Sequence, residues 1–157
     1  MLTLQAANLV TCSTPRAAEY IAREAGPDVN TYVAYNCINF DDFTEIELRE
    51  HPGEVRILWE GGSSHHEALW PLNAAIQRVA KKYPHARWLF WGAPYKWAGE
   101  HIANSKMLPW VPYDAFKLRL ATIGHDISIA PLAPHLFNQS RSGIRFYESS
   151  AIHKPAA

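Results

Sequence analysis

The sequence predicts an α/β fold, a doubly wound parallel sheet with helices on both faces, incomplete at its C-terminus. Three observations point there. Short strand-like runs alternate with helical ones along the chain. At 157 residues, with 48% hydrophobic and 19% charged side chains, the chain is long and apolar enough for one domain with a real core. It ends at "KPAA", where a further strand should begin.

The elements follow in order. Leu9 to Ser13 reads as a short strand. Thr14 is an N-cap, Pro15 suits the first helical position, and Gly26-Pro27 ends the helix. Asn30 to Ala34 reads as a second strand. Residues 41–53, rich in Asp and Glu, read as an acidic connector. Arg56 to Glu60 is a compact strand. Leu72, Ala75, Ile76, Val79, Ala80 and Tyr83 recur at helical spacing, so Pro71 to Lys82 is an amphipathic helix stopped by Pro84. Arg87 to Trp91 is a strand closed by Gly92. A helix around Ala98 to Asn104 precedes the apolar segment Met107 to Val111. Tyr113 to Thr122 is helical, Asp126 to Pro131 a strand, and Ser142 to Ile152 a helix.

Bulk composition excludes several classes. Fifteen basic and fifteen acidic side chains cancel, which gives no support to non-specific nucleic-acid or membrane attraction. No apolar run reaches the roughly 20 residues that span a bilayer, and no signal peptide opens the chain. Cys12 and Cys37, outside any CxxC pair, fit a reduced compartment and read as small buried side chains. The expected location is cytoplasmic.

The stretch "ILWEGGSSHHE", Ile57 to Glu67, bears on chemistry. Adjacent His65 and His66 diverge on a helix or a strand, and no third ligand is in register, so no metal is expected. Gly61 and Gly62, ending a strand and entering a helix, bring N–H groups close to a phosphate where the helix dipole favours an anion. A plain strand-to-helix turn is the alternative. Ser64 and Glu67 match a capping box, and Pro71 implies a break near Trp70.

A second stretch, "FNQSRSGIRFYESSAIHKP", sets Arg141, Ser142 and Gly143 at a helix start, with Glu148 about two turns in. Such groups suit a diphosphate, and the carboxylate suits a ribose; solvated surface charges are the alternative. All six tryptophans lie between Trp59 and Trp110. Trp59, Trp88 and Trp91 fall in strands and read as core. Trp110 and Tyr113 lie at a strand's end, where doubly wound sheets bind ligands.

Taken in order, "ANLVTCSTPRAAEYI", "VAYNCINF", "RILWEGGSSHHEALWPL", "RWLFWG", "LPWVPY" and "SRSGIRFYESSAIHKPAA" resemble the group-one (family four) retaining glycosyltransferases, which have two facing Rossmann-like domains. The resemblance implies three regions. Residues 1–40 correspond to the end of an N-terminal acceptor domain and the interdomain crossing, and residues 41–55 to the acidic connector. Residues 56–157 correspond to a truncated Rossmann-like nucleotide-sugar-binding domain. It implies donor contacts from Gly61, Gly62, Ser63, Val111, Arg141, Ser142, Gly143 and Glu148, with Arg141 and Glu148 in catalytic roles. The implied substrates are a UDP-, GDP- or ADP-linked sugar and an unknown sugar or glycan acceptor, with no metal or other cofactor and no nucleic acid. The family's Glu-x7-Glu motif has Ser140 at its first position here; Arg141-Ser142 matches a variant with a basic residue and serine before the helix. Asn39 stands where aspartate is commoner, and Tyr35 where proline is. The fragment alone is expected to be inactive. A non-catalytic nucleotide-binding module and a protein-interaction fragment are the rival readings.

Overall fold

The computed structural model describes residues 2–43, 46–92 and 96–157, with backbone alone at residues 2, 3, 64, 66, 96 and 97. The chain forms two compact units, one of residues 1–38 and 133–144, the other of residues 39–132 and 145–157.

In the first unit, β1 (Val10–Cys12) and β2 (Thr31–Val33) pair in parallel, Val10 opposite Thr31. The crossover between them is α1 (Pro15–Ala25). Both of its ends follow from sequence chemistry. Thr14 Oγ1 accepts the N–H of Ala17 at 3.0 Å and donates to the carbonyl of Ser140 at 2.7 Å. Gly26, at φ 108°, leaves the helix in a conformation that costs a glycine little. A four-residue helical turn, Leu136–Gln139, belongs to the same unit; it is too short to leave an apolar period in the sequence.

The second unit holds a four-stranded parallel sheet in the order β5-β4-β3-β6. Its strands are β3 (Val55–Gly61), β4 (Ala86–Gly92), β5 (Ser105–Leu108) and β6 (Ile127–Ile129). The register runs Val55 opposite Ala86 through Gly61 opposite Gly92. Beyond β6, Ala156 bridges in parallel to Ser128, so residues 155–157 occupy the next place in the sheet. The doubly wound α/β expectation holds.

Alternation along the strands divides the sheet into two apolar faces. On one, Ile57, Trp59, Trp88 and Phe90 meet Leu69, Ile76, Ala80, Ala98 and Ile102. These come from the short helix His66–Leu69, from α2 (Asn73–Lys82), and from α3 (Lys96–His101) with the residue after it. Trp59 and Phe90 are wholly buried, each contributing about 1.5–3 kcal/mol by leaving water. The opposite face carries Arg56, Leu58, Glu60, Leu89, Trp91 and Ser128. There Trp91 stacks on Phe116 of α4 (Tyr113–Thr122), centroids 5.1 Å apart. Ser128 Oγ accepts from Ser149 Oγ of α5 (Ile144–Ala151) at 2.9 Å.

Of the boundaries that differ from the sequence reading, three have an identifiable cause, two of them local and one long-range. Trp70–Leu72 is a 3-10 turn, because Pro71 interrupts the run, and the longer helix starts only at Asn73. The segment read as Met107 to Val111 is a strand at Ser105–Leu108, and Pro109, lacking an N–H, ends it. The last helix begins at Ile144 rather than Ser142, whose Oγ instead accepts from Asn36 Nδ2 at 2.7 Å.

Candidate functional site

Alternation puts three second-face residues on β3: Arg56 at its start, Leu58 in the middle, Glu60 near its end. Leu58 is fully buried and belongs to the core. Glu60 needs a partner, and α5 supplies one. Arg145 Nη1 donates to Glu60 Oε1 at 2.7 Å and to Glu148 Oε2 at 3.0 Å, one nitrogen serving two carboxylates. The Glu60 side chain is only 10% exposed and that of Glu148 14%. The Arg145 guanidinium also lies 5.9 Å from the Phe116 ring centroid.

Burial dominates the electrostatics. It pushes the Glu60 carboxyl up to about 7, with Arg145 pulling down and Glu148 pushing up. Glu148 is also raised by burial, against the pull of Arg145. Glu60 Oε2 has no hydrogen-bond partner among the described residues. A carboxyl in this state holds or releases a proton near neutral pH, and so changes the net charge around Arg145.

Glycines build the ground beside this cluster. Gly61, Gly92 and Leu108 are the last residues of β3, β4 and β5. A Cβ on Gly61 would sit 2.9 Å from the Trp59 ring. Gly92 has φ 106°, and a Cβ there would meet the Gly61 carbonyl oxygen at 2.5 Å. The Trp110 indole lies 3.6 Å from the Cβ positions of both Gly62 and Gly92. It therefore rests on the strand ends while remaining 62% exposed, a flat aromatic surface open to a ligand. Trp91 Nε1 donates to the Pro109 carbonyl at 2.9 Å and anchors the loop that carries it. Val111 follows, half-buried, and Tyr113 is exposed.

Of the residues singled out from sequence, Gly61, Gly62, Ser63, Val111 and Glu148 belong to this unit. Ser63 is exposed in the turn after β3. Arg141, Ser142 and Gly143 belong to the first unit. Sequence reasoning missed Glu60, Arg145 and Gly92 as site residues. A glutamate closing the apolar run Ile57–Trp59, and an Arg three residues before a Glu on one helix, were the available signals. Their meeting across 85 residues was not among them.

Among the described residues no group of three or more His, Cys, Asp or Glu side chains is placed to hold a metal ion. The side chain of His66, half of the histidine pair, lies outside those described. No helix of the described residues is long and apolar enough to cross a membrane.

No protein-family profile matches the chain, and no curated protein sequence matches it. Among solved structures, the chain is similar to the sucrose-phosphate synthase of Thermosynechococcus elongatus, with a TM-score of 0.69 over 99% of its residues at 13% identity. It spans 41% of that structure's chain. The shared property is the fold: parallel strands flanked by helices, in the arrangement of part of a glycosyltransferase structure.

Proposed function

We propose that the chain is the donor-binding part of a retaining glycosyltransferase, taking a nucleotide sugar at the carboxyl ends of β3 to β5. The observation that carries this reading is the Glu60–Arg145–Glu148 cluster on a unit whose strand ends also carry Gly61, Gly62 and the Trp110 surface. Doubly wound sheets collect ligands at that edge, and the similarity to a sucrose-phosphate synthase supports the same class.

Transfer with retention requires a nucleoside diphosphate to leave the sugar while negative charge grows on its phosphates. Backbone N–H groups at Gly61, Gly62 and Ser63 would meet that charge without reorganising. Trp110 would stack the nucleobase beside Val111, and Glu148 would accept hydrogen bonds from the ribose. Arg141, Ser142 and Gly143 enter as diphosphate contacts on the family resemblance. Whole-enzyme transfer to a sugar or glycan acceptor, by an enzyme in the cytoplasm without metal, is part of the same proposal.

The test is calorimetric titration of the complete protein with UDP, GDP, ADP and their sugar derivatives. One of them should bind, and Glu148→Gln should weaken it. Arg141→Ala should lower donor affinity or turnover by roughly 10- to 150-fold, the worth of a charge-assisted contact of about 1.5–3 kcal/mol. Lys82→Ala should change little. Binding without transfer would point to a non-catalytic nucleotide module. No binding by any of the three nucleotides would end the proposal.

A further inference from the structure

The other charged end of β3 faces a cavity. Arg56 Nη1 donates to the carbonyls of Ile123 at 2.8 Å and Gly124 at 3.2 Å, just past α4. Its Nε makes no hydrogen bond among the described residues, and Glu54 Oε2 stands 4.0 Å away. Arg49, His51, Lys106 and Arg119 join Arg56 in lining a cavity of about 210 Å³, and among the described residues no carboxylate is part of its wall. His51 Nε2 is buried without a partner among the described residues.

The segment bearing Arg49 and His51 is seated on a glycine. Gly124 has φ 67°, and a Cβ there would lie 2.6 Å from the Arg49 carbonyl oxygen and 2.8 Å from His51 Cδ2. A simpler explanation for cations here is the carboxyl end of α4, which attracts them. That end carries about half a negative charge, and Arg56 already bonds two carbonyls just beyond it. Four permanent cations exceed what it needs. Glu54 is shared between Arg56 and Arg87, and the Asp126 carboxylate accepts the Arg56 backbone N–H at 2.8 Å. Among the described residues, the adjoining cavity that bears Glu47 and Glu50 shares only Arg49 and Thr122 with this one.

We propose that this basic cavity binds a compact phosphate dianion, free or as a simple monoester, at a site separate from the nucleotide-sugar edge. Guanidinium groups match phosphate oxygens with paired hydrogen bonds, and a 210 Å³ space suits a phosphate with a small substituent rather than a nucleotide. Burial, and then the charges of Arg56 and Arg49, hold the His51 imidazole below its ordinary range. A bound dianion opposes those two charges and moves it upward.

The test is calorimetry of the full chain with inorganic phosphate at constant ionic strength, with chloride as control, and NMR titration of His51. The expected result is one phosphate per chain, a His51 titration shifted to higher pH, and about tenfold or greater weakening in Arg49→Gln and in Arg119→Gln. Glu148→Gln, which tests the nucleotide edge, should leave phosphate binding intact. Methyl phosphate binding as well as phosphate assigns the cavity to monoesters; phosphate alone assigns it to the free ion. Equal binding of chloride, unchanged affinity in the Arg49→Gln/Arg119→Gln double variant, or an unmoved His51 would overturn the proposal.

Discussion

Two buried side chains set opposing pH dependences in the second unit. Glu60, raised to about 7 from an ordinary 4.5, keeps a proton in the folded chain that the unfolded chain has released. Its contribution to stability is therefore full below pH 4.5 and is lost as pH rises toward 7. His125 behaves inversely. Burial is the main cause that lowers it to about 4 from 6.5, so its contribution is lost as pH falls through that window. Its Nε2 lies 3.0 Å from Ser128 Oγ, within the Ser128–Ser149 hydrogen-bonded pair. Thermal melts from pH 4.5 to 7 should show Glu60→Gln gaining stability with pH relative to wild type, and His125→Asn losing that gain. Binding of a diphosphate beside Arg145 favours protonated Glu60. Nucleotide affinity should then weaken above about pH 7, and Glu60→Gln should flatten the profile measured by calorimetry. Glu148 was singled out by the family resemblance rather than by its place on a helix. Glu60 was not, because its burial is created by α5, which lies far along the chain.

At the scale of elements, the two ends of α1 are where sequence and structure agree best. Thr14, Pro15 and Gly26 act through neighbours within four residues, so α1 could be bounded from local chemistry. Thr14→Ala removes the cap and also the donor to Ser140. It should cost about 0.5–2 kcal/mol in urea unfolding, with Thr14→Ser restoring most of it. Gly92 is the opposite case. The sequence marked it as a strand's end, but not the Gly61 carbonyl pressed against it from the neighbouring strand. Gly92→Ala combines a positive φ with a 2.5 Å contact, so a loss of about 1–3 kcal/mol or more is expected by chemical denaturation. Because Trp110 rests on the same ground, its fluorescence maximum should shift in that variant. The start of the last helix was misjudged for a similar reason: Ser142 is held by Asn36, 106 residues earlier.

At the scale of the molecule, the two units are unequally built. Among the described residues, Ala25 is the one buried hydrophobic side chain of the first unit, while the second holds the rest of the buried core. A unit with so little apolar burial has little to offset its conformational entropy. All six tryptophans lie in the second unit. Far-ultraviolet circular dichroism should therefore begin to change at lower urea than tryptophan fluorescence does; coincident curves would show one cooperative transition. The alternation of strands and helices made the parallel sheet readable. The two-unit division was harder to see, because residues 133–144 return to the first unit after 94 residues spent in the second, a long-range connection that no local period encodes.

The charges at either end of β3 also bear on how the sheet finds its alignment. A one-residue slip against β4 would turn Arg56 and Glu60 into the face that Trp59 and Phe90 occupy. A two-residue slip keeps the face but carries one of the charges to the level of Leu58, which is 0% exposed. An ion stranded there costs several kcal/mol, more than a mismatched apolar pair would. An all-apolar β3 would tolerate such a shift; this strand rejects it during folding, and the charged residues at its two ends act as its proofreading marks.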